Sequence, residues 1–340
     1  MKIFYSETHR KHEPSFEVFD GGLRTPYLEN PDRMDRILKA LGDTDWADVI
    51  EPTDFGLDPI YAVHDEDYIH FLASSWTEWL DSKPKDPSTL LPATFALRRH
   101  PQRPASLLGR AGYYMMDLSA CIVEGTYQAS LASANCALSA AEMITSDERA
   151  SFALCRPPGH HAGKDYAGGY CFINNASVAA NWLSTKGEVA LLDIDYHCGN
   201  GTQDIFYERA DVLTISIHAD PNFEYPHFIG FANERGAGRG LGFHHNFPLP
   251  AGTDDIAYLV ALDRALTLIR DYGPAYLVVS AGMDIYADDP LGTIKVTTDG
   301  IAEIGKRVAT LELPTVIVME GGYNNDALGR NVVGFLSAFK

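Results

Sequence analysis

The sequence predicts an α/β fold built on a parallel sheet with helices on both faces. Three observations point there. From residue 150 onward, short apolar runs are each followed by a polar loop: 152–155 by RPPGHHAG, 189–192 by DIDYHCGNG, 212–217 by HADPNFEYPHF, 276–280 by AGMDIYADDP and 315–319 by EGGY. The runs are apolar at consecutive positions, as strands covered on both faces require. Helical segments, notably 175–184 and 255–271, lie between them, which is the alternation of a βαβ sheet. Ligands of such sheets sit at the carboxyl ends of the strands, and these five ends carry His, Asp or Tyr.

The first 150 residues fit the same plan. KIFY (2–5) is a short strand. PDRMDRILKALGD, from Pro31, places Met34, Ile37, Leu38 and Leu41 at helical spacing, with Gly42 near the end. DEDYIHFLASSWTEWLDS, from Asp65, is a second amphipathic helix; His64, His70, Trp76 and Trp79 read as packing or surface residues. Residues 81–112 hold Pro84, Pro87, Pro92, Pro101 and Pro104 and a basic cluster, Arg98, Arg99 and Arg103. They read as a long irregular insertion, a kind of loop that is functional, interfacial or disordered. The alternation resumes after it, so it is not a linker, and 1–340 reads as one domain. TYQASLASANCALSAAEMITS, from Thr126, is a helix of small residues suited to close packing on a sheet.

Composition excludes several classes. The 340 residues are 46% hydrophobic, with no run long enough to span a membrane. The start, MKIFYSETHRKHEPSF, lacks the apolar core of a secretory signal, so a soluble cytoplasmic protein is expected. Five scattered cysteines (Cys121, Cys136, Cys155, Cys171, Cys198) form no CxxC pair, which argues against a disulfide framework or a zinc ribbon. A net charge of −19 argues against nucleic acid and is compatible with a cationic substrate.

The stretch that organises the chain is VALLDIDYHCGNG, 189–201. Asp195 and His197 are two apart, so in extended chain both face one way and make half of a metal site. Cys198 should face away, and Gly199 and Gly201 let the backbone turn. Asp284, in AGMD, is the best third ligand; Asp288 and Asp289 precede Pro290 and read as turn carboxylates. In the stiff RPPGHHAG loop, His160 and His161 are placed to divide proton transfer and electrostatic roles. Asp193 and Asn200 are candidates to orient those rings. Tyr323, after Gly321 and Gly322, is a candidate oxyanion donor. His218 reads as structural, His227, His244 and His245 as loop or rim residues, and His9, His12 and His100 have no context.

These segments, taken in order (LCRPPGHHAG, GGYCFINNAS, DIDYHCGNGTQDIF, SIHAD, AGMD, MEGGY), resemble the motifs of the zinc-dependent histone deacetylase superfamily, and the chain is most similar to its bacterial acetylpolyamine amidohydrolase branch. The resemblance implies an arginase/deacetylase fold with a central eight-stranded parallel sheet. It implies zinc (iron(II) being a possible substitute) on Asp195, His197 and Asp284, and structural potassium near Asp193, Asp195, His197, Ser216 and Ile217. His161 would be general base and acid, His160 its electrostatic partner and Tyr323 the donor to the scissile carbonyl, with Asp193 orienting His160 and Asn200 orienting His161. Gly169, Tyr170 and Tyr225 would line the acyl channel, with Leu291 at its rim. Segment 81–112 would sit at a homodimer interface and narrow the entrance. Expected substrates are small cationic N-acetylpolyamines, hydrolysed to acetate and free polyamine, with no membrane or nucleic-acid partner. Asp117 and Glu124 are the nearby candidates to hold the distal ammonium.

Three alternatives differ in kind. A protein or peptide acetyl-lysine deacetylase would use the same machinery behind a wider entrance. A two-manganese arginase-like hydrolase would need carboxylates where this chain has Gly199 and Tyr286. A non-enzymatic binding module would have lost a metal, base or oxyanion residue, and none is missing.

Overall fold

The computed structural model describes residues 1–19, 22–97, 102–146 and 148–340. Arg98, Arg99, His100 and Pro101 therefore lie outside the described residues. The strands are β1 (Lys2–Phe4), β2 (Glu17–Phe19), β3 (Leu23–Thr25), β4 (Asp48–Ile50), β5 (Ala150–Ala153), β6 (Val189–Asp193), β7 (Val212–Ala219), β8 (His244–Leu249), β9 (Tyr276–Ala281) and β10 (Thr315–Met319). The helices are α1 (Asp32–Gly42), α2 (Asp58–Tyr61), α3 (Glu66–Asp81), α4 (Leu107–Tyr114), α5 (Thr126–Ile144), α6 (Asn175–Ser184), α7 (Asn200–Phe206), α8 (Asp255–Tyr272), α9 (Thr298–Ala309) and α10 (Asn325–Leu336). Eight strands form one parallel sheet in the order β4-β1-β5-β10-β9-β6-β7-β8, and β2 and β3 pair antiparallel apart from it.

The sheet has a core on each face, and the pleat decides which residue joins which. Val189, Leu191, Val316 and Val318 pack in one core with buried side chains of α5 and α6. Their neighbours Ala190, Leu192, Ile317 and Met319 pack in the other, with α1, α8, α9 and α10. Both faces are dry, which is why the runs are apolar at every position. The buried alanines of α5 let that helix lie close on β1, β5 and β10. Local chemistry sets the helix ends. Asp254, Thr297 and Asn324 each accept a backbone N–H at the starts of α8, α9 and α10, and α8 stops at Gly273 with φ 67°.

Two expectations need correction. His244 and His245 are not loop or rim residues; they open β8, an edge strand paired to β7. His244 bonds Thr214 Oγ1 and Gln203 Oε1 (2.6 and 2.8 Å), and His245 bonds the Gly242 carbonyl. HHNFPL hides its strand because its buried half is polar: His244, His245 and Asn246 are buried but hydrogen-bonded, while Phe247, Pro248 and Leu249 are half-buried. Nor is 81–112 irregular throughout: α4 starts at Leu107, capped by Ser106, and Arg103 and Arg110 pair with Asp67 and Glu78 of α3. No helix among the described residues is long and apolar enough to cross a membrane.

His64 is a buried fastener under the RPPGHHAG loop. Its Nδ1–H donates to the Gly163 carbonyl (2.8 Å) and its Nε2 accepts from Asn174 N (3.0 Å), so the neutral ring is built in. Burial lowers its pKa to about 4. The unfolded chain takes up this proton near pH 6.5 and the folded chain does not. The His64 contribution is thus complete above that value and is lost progressively as pH falls towards 4. At pH 5 the cost is about 2 kcal/mol. The melting temperature should fall between pH 7.5 and 5, and His64→Gln should flatten that dependence in a thermal-melt series.

Candidate active site

Sequence places the site-bearing loops after β5, β6, β7, β9 and β10, and the sheet order makes those five strands contiguous. The loops therefore open into one space at the carboxyl edge of the sheet. Asp195, His197 and Asp284 converge there, with one donor atom from each lying within 4.8 Å of the others. His197 Nδ1 is 3.3 Å from Asp195 Oδ1 and 3.2 Å from Asp284 Oδ2. Backbone N–H groups hold the carboxylates: His197 N and Gly321 N donate to Asp195, and Tyr196 N donates to Asp284 Oδ1. Asp284 Oδ2 is buried and accepts no hydrogen bond. Burial works against charge on His197, but the neighbouring carboxylates of Asp195 and Asp284 outweigh it and push the ring up to about 9. Two buried carboxylates, an imidazole and an orphaned oxygen fit a divalent cation. Cys198 is outside this set, as its position implied: Cβ and Sγ lie against Gly230.

The histidine pair sits beside the cluster with ring centroids 4.0 Å apart. His160 Nδ1 bonds Asp193 Oδ2 (2.9 Å), and Asp195 and Asp193 hold the His160 pKa well up against the opposing effect of burial. His161 Nδ1–H donates to Asn200 Oδ1 (2.6 Å), while Asn200 Nδ2 donates to the His161 carbonyl and to Tyr166 Oη. That orientation leaves His161 Nε2 with a free lone pair. Burial, then His160 and His197, hold its pKa well down. Gly169 makes room for the ring: its φ is 52°, and a Cβ there would lie 2.2 Å from His161 Cδ2.

Tyr323 enters from the β10 loop, and burial pushes its hydroxyl pKa well up, so it stays a proton donor. Asp289 is more than a turn carboxylate. Its Oδ1 accepts from Leu291 N as the turn reading implies, but its Oδ2 accepts from Tyr323 N (2.7 Å) and Asn324 N (3.1 Å). The buried Asp289 is raised to about 7 by burial and then by Asp284. Ser216 lies beside Asp193 in the β6–β7 register, with Ile217 next along β7. Ser216 Oγ bonds His218 Nδ1 (2.7 Å), and His218 Nε2 bonds the Gly230 carbonyl.

Of this cluster His197 reaches a cavity of about 380 Å³, lined also by His161, Gly169, Tyr170, Tyr225, Leu291 and Tyr323, with Phe19, Ser119, Phe223, Glu224 and His227. The two wall tyrosines are fixed by carboxylates. Tyr170 Oη donates to Glu17 Oε2 (2.6 Å), and Tyr225 Oη donates to Asp117 Oδ2 (2.7 Å). The Tyr225 ring stands perpendicular to His161 at 4.9 Å. Of the two acidic candidates for a distal ammonium, Asp117 is spent on this wall, and Glu124 lines a separate surface pocket with Lys11 and Gln128.

Sequence reading missed a buried brace. Arg33, on α1, donates to the Gly322 and Glu320 carbonyls and to Glu29 Oε1; Arg156 donates to the same Glu29 oxygen and to the His9 carbonyl. Glu320 Oε2 accepts from Gly159 N and His160 N, tying the histidine loop to β10. Glu29 and Arg33 are spaced like an ordinary surface i,i+4 pair and the other partners lie far apart in the chain, so only the fold reveals the brace. His160, Cys171 and Glu320 also lie close, but Ser280 takes the other Glu320 oxygen, so that carboxylate is already engaged.

A family model described as the histone deacetylase domain matches residues 27–339. The chain is 45% identical to acetylpolyamine amidohydrolase 1 of Pseudomonas aeruginosa, covering 100% of this chain and 99% of that one. It is 40% identical to the acetylpolyamine amidohydrolase of Mycoplana ramosa, over 99% and 98% of the two chains. The crystal structure of an acetylpolyamine aminohydrolase from Burkholderia pseudomallei superposes with a TM-score of 0.96 at 41% identity, over 100% and 98%.

Gly321 tests the cation pocket directly. A Cβ there would lie 2.3 Å from Asp284 Oδ2 and 2.7 Å from Asp195 Oδ2, and each carboxylate is held by a backbone N–H, on Asp284 Oδ1 and Asp195 Oδ2. Gly321→Ala should weaken divalent-metal binding by about tenfold or more, read by competition with a chromogenic chelator.

Proposed function

The chain belongs to the histone deacetylase family and is an amide hydrolase, and we propose that it hydrolyses N-acetylated polyamines to acetate and free polyamine. The observation that carries this is one aromatic-walled cavity lined by His161, His197 and Tyr323, with the buried Asp195 and Asp284 clustered on His197. The names of its full-length relatives and the net charge of −19 support a small cationic amide as substrate.

We assign zinc to Asp195, His197 and Asp284; iron(II) suits the same donors. Bound there, a divalent metal supplies Lewis acidity to the acetamide carbonyl and to water. His161 is neutral and presents Nε2, so it takes the proton of the attacking water. His160, kept protonated by Asp195 and Asp193, offsets the negative charge that develops beside it. The Tyr323 hydroxyl donates to the oxyanion of the tetrahedral intermediate. His161 then returns its proton to the leaving nitrogen, and amine and acetate part. Asp193 and Asn200 orient the two rings, and Gly169, Tyr170, Tyr225 and Leu291 enclose the acyl chain.

Structural potassium is assigned beside Asp193, Ser216 and Ile217. The chain acts as one catalytic domain over 1–340, and 81–112 is assigned to a homodimer interface; the exposed side chains of Phe95, Leu97 and Leu108 support that assignment.

Tyr323→Phe should lower kcat by about a hundredfold while zinc content, measured by atomic absorption, stays stoichiometric. Full turnover in that variant would remove Tyr323 from the reaction. Steady-state comparison of acetylputrescine, acetylspermidine and an acetyl-lysine peptide tests the substrate: kcat/KM should favour the polyamines by about tenfold or more. A preference for the peptide would make this a lysine deacetylase.

A further inference from the structure

We propose that Glu224 selects the cationic substrate by receiving its distal ammonium group at the mouth of the cavity. This rests on the polyamine reading above and names the residue that would enforce it.

Among the described residues, three other carboxylates near the cavity are already engaged. Asp117 is saturated: Oδ1 accepts from Ser119 N and Ala120 N, and Oδ2 from Gly169 N and Tyr225 Oη. Glu17 is fully buried, with Leu28 N on one oxygen and Tyr170 Oη on the other. Asp289 holds Leu291, Tyr323 and Asn324 through their N–H groups. Each of these three carboxylates builds the wall and has little capacity left for a ligand.

Glu224 differs on each count. It lines the same cavity as His197 and Tyr323 and is only half-buried. Among the described residues no Lys or Arg forms an ion pair with it, and its neighbours are two neutral hydroxyls, Thr293 Oγ1 at 3.4 Å and that of Tyr196. Thr293 Oγ1 is itself 2.8 Å from Tyr196 Oη, so the hydroxyl that steadies the carboxylate is anchored beside the metal ligand His197. Tyr225, the next residue, packs on His161 at 4.9 Å. One short turn therefore supplies a wall for the acyl end and a negative charge for the far end of the same chain. A primary ammonium brings three N–H donors and a full charge to a carboxylate with unused lone pairs. A neutral alkyl end would instead strip water from it without replacing those bonds.

The test compares acetylputrescine with N-pentylacetamide, which replaces the ammonium by a methyl group, on the zinc-loaded enzyme and on Glu224→Gln and Glu224→Lys. Wild type should prefer the cation. Glu224→Gln should cut the ratio of the two kcat/KM values by about tenfold, with the loss in KM for acetylputrescine, and Glu224→Lys should cut it further. An unchanged ratio in both variants, or an equal loss on both amides, overturns the assignment of Glu224 while leaving the polyamine reading standing. A wild type without preference for the cation overturns the polyamine reading itself, and Glu224 with it.

Discussion

The structure depends on keeping two carboxylates, Asp195 and Asp284, fully buried within reach of one imidazole. Buried like charges are costly, and much of the surrounding architecture offsets that cost. Three backbone N–H groups from two loops point at them. Side chains are absent where they would collide: a Cβ on Gly282 would lie 2.0 Å from Asp195 Oδ2. The central position in a parallel sheet brings these loops together without any one of them having to be long.

A second layer of charge holds the first. Glu29 is shared by Arg33 and Arg156, which between them grip the loop after β10 and the entry to the histidine loop. Glu320 fastens those two loops to each other. Further out, Glu17 and Asp117 aim the hydroxyls of Tyr170 and Tyr225 away from the cavity, so that each ring presents carbon to the substrate. The walls are apolar because their polar ends are engaged behind them.

Legibility in the sequence followed the length of the signal. The buried strands β6, β7, β9 and β10 were plain because their apolar runs have one explanation in a parallel sheet. Asp195, His197 and Asp284 were plain because each follows such a run. The three-residue strands β2, β3 and β4 are too short to show a period, and β8 hides because its buried residues, His244, His245 and Asn246, are polar. Asp289 was half-read: the turn before Pro290 is real, but its second oxygen serves Tyr323 across a gap of thirty-four residues. Arg33, Arg156 and Glu224 were invisible for a related reason. Glu29 and Arg33 are spaced like any surface i,i+4 pair, and the other partners of Arg33, Arg156 and Glu224 lie far off in sequence.

The order of the strands bears on how the molecule is made. β10 lies between β5 and β9, and it alone joins the set β4-β1-β5 to the set β9-β6-β7-β8 by hydrogen bonds. It is also the last of the eight strands in chain order. On the ribosome the growing chain therefore holds two half-sheets, each with an exposed inner edge, until Thr315–Met319 emerges. No nascent fragment carries a finished pocket, and closure of the sheet and completion of the site become one late event.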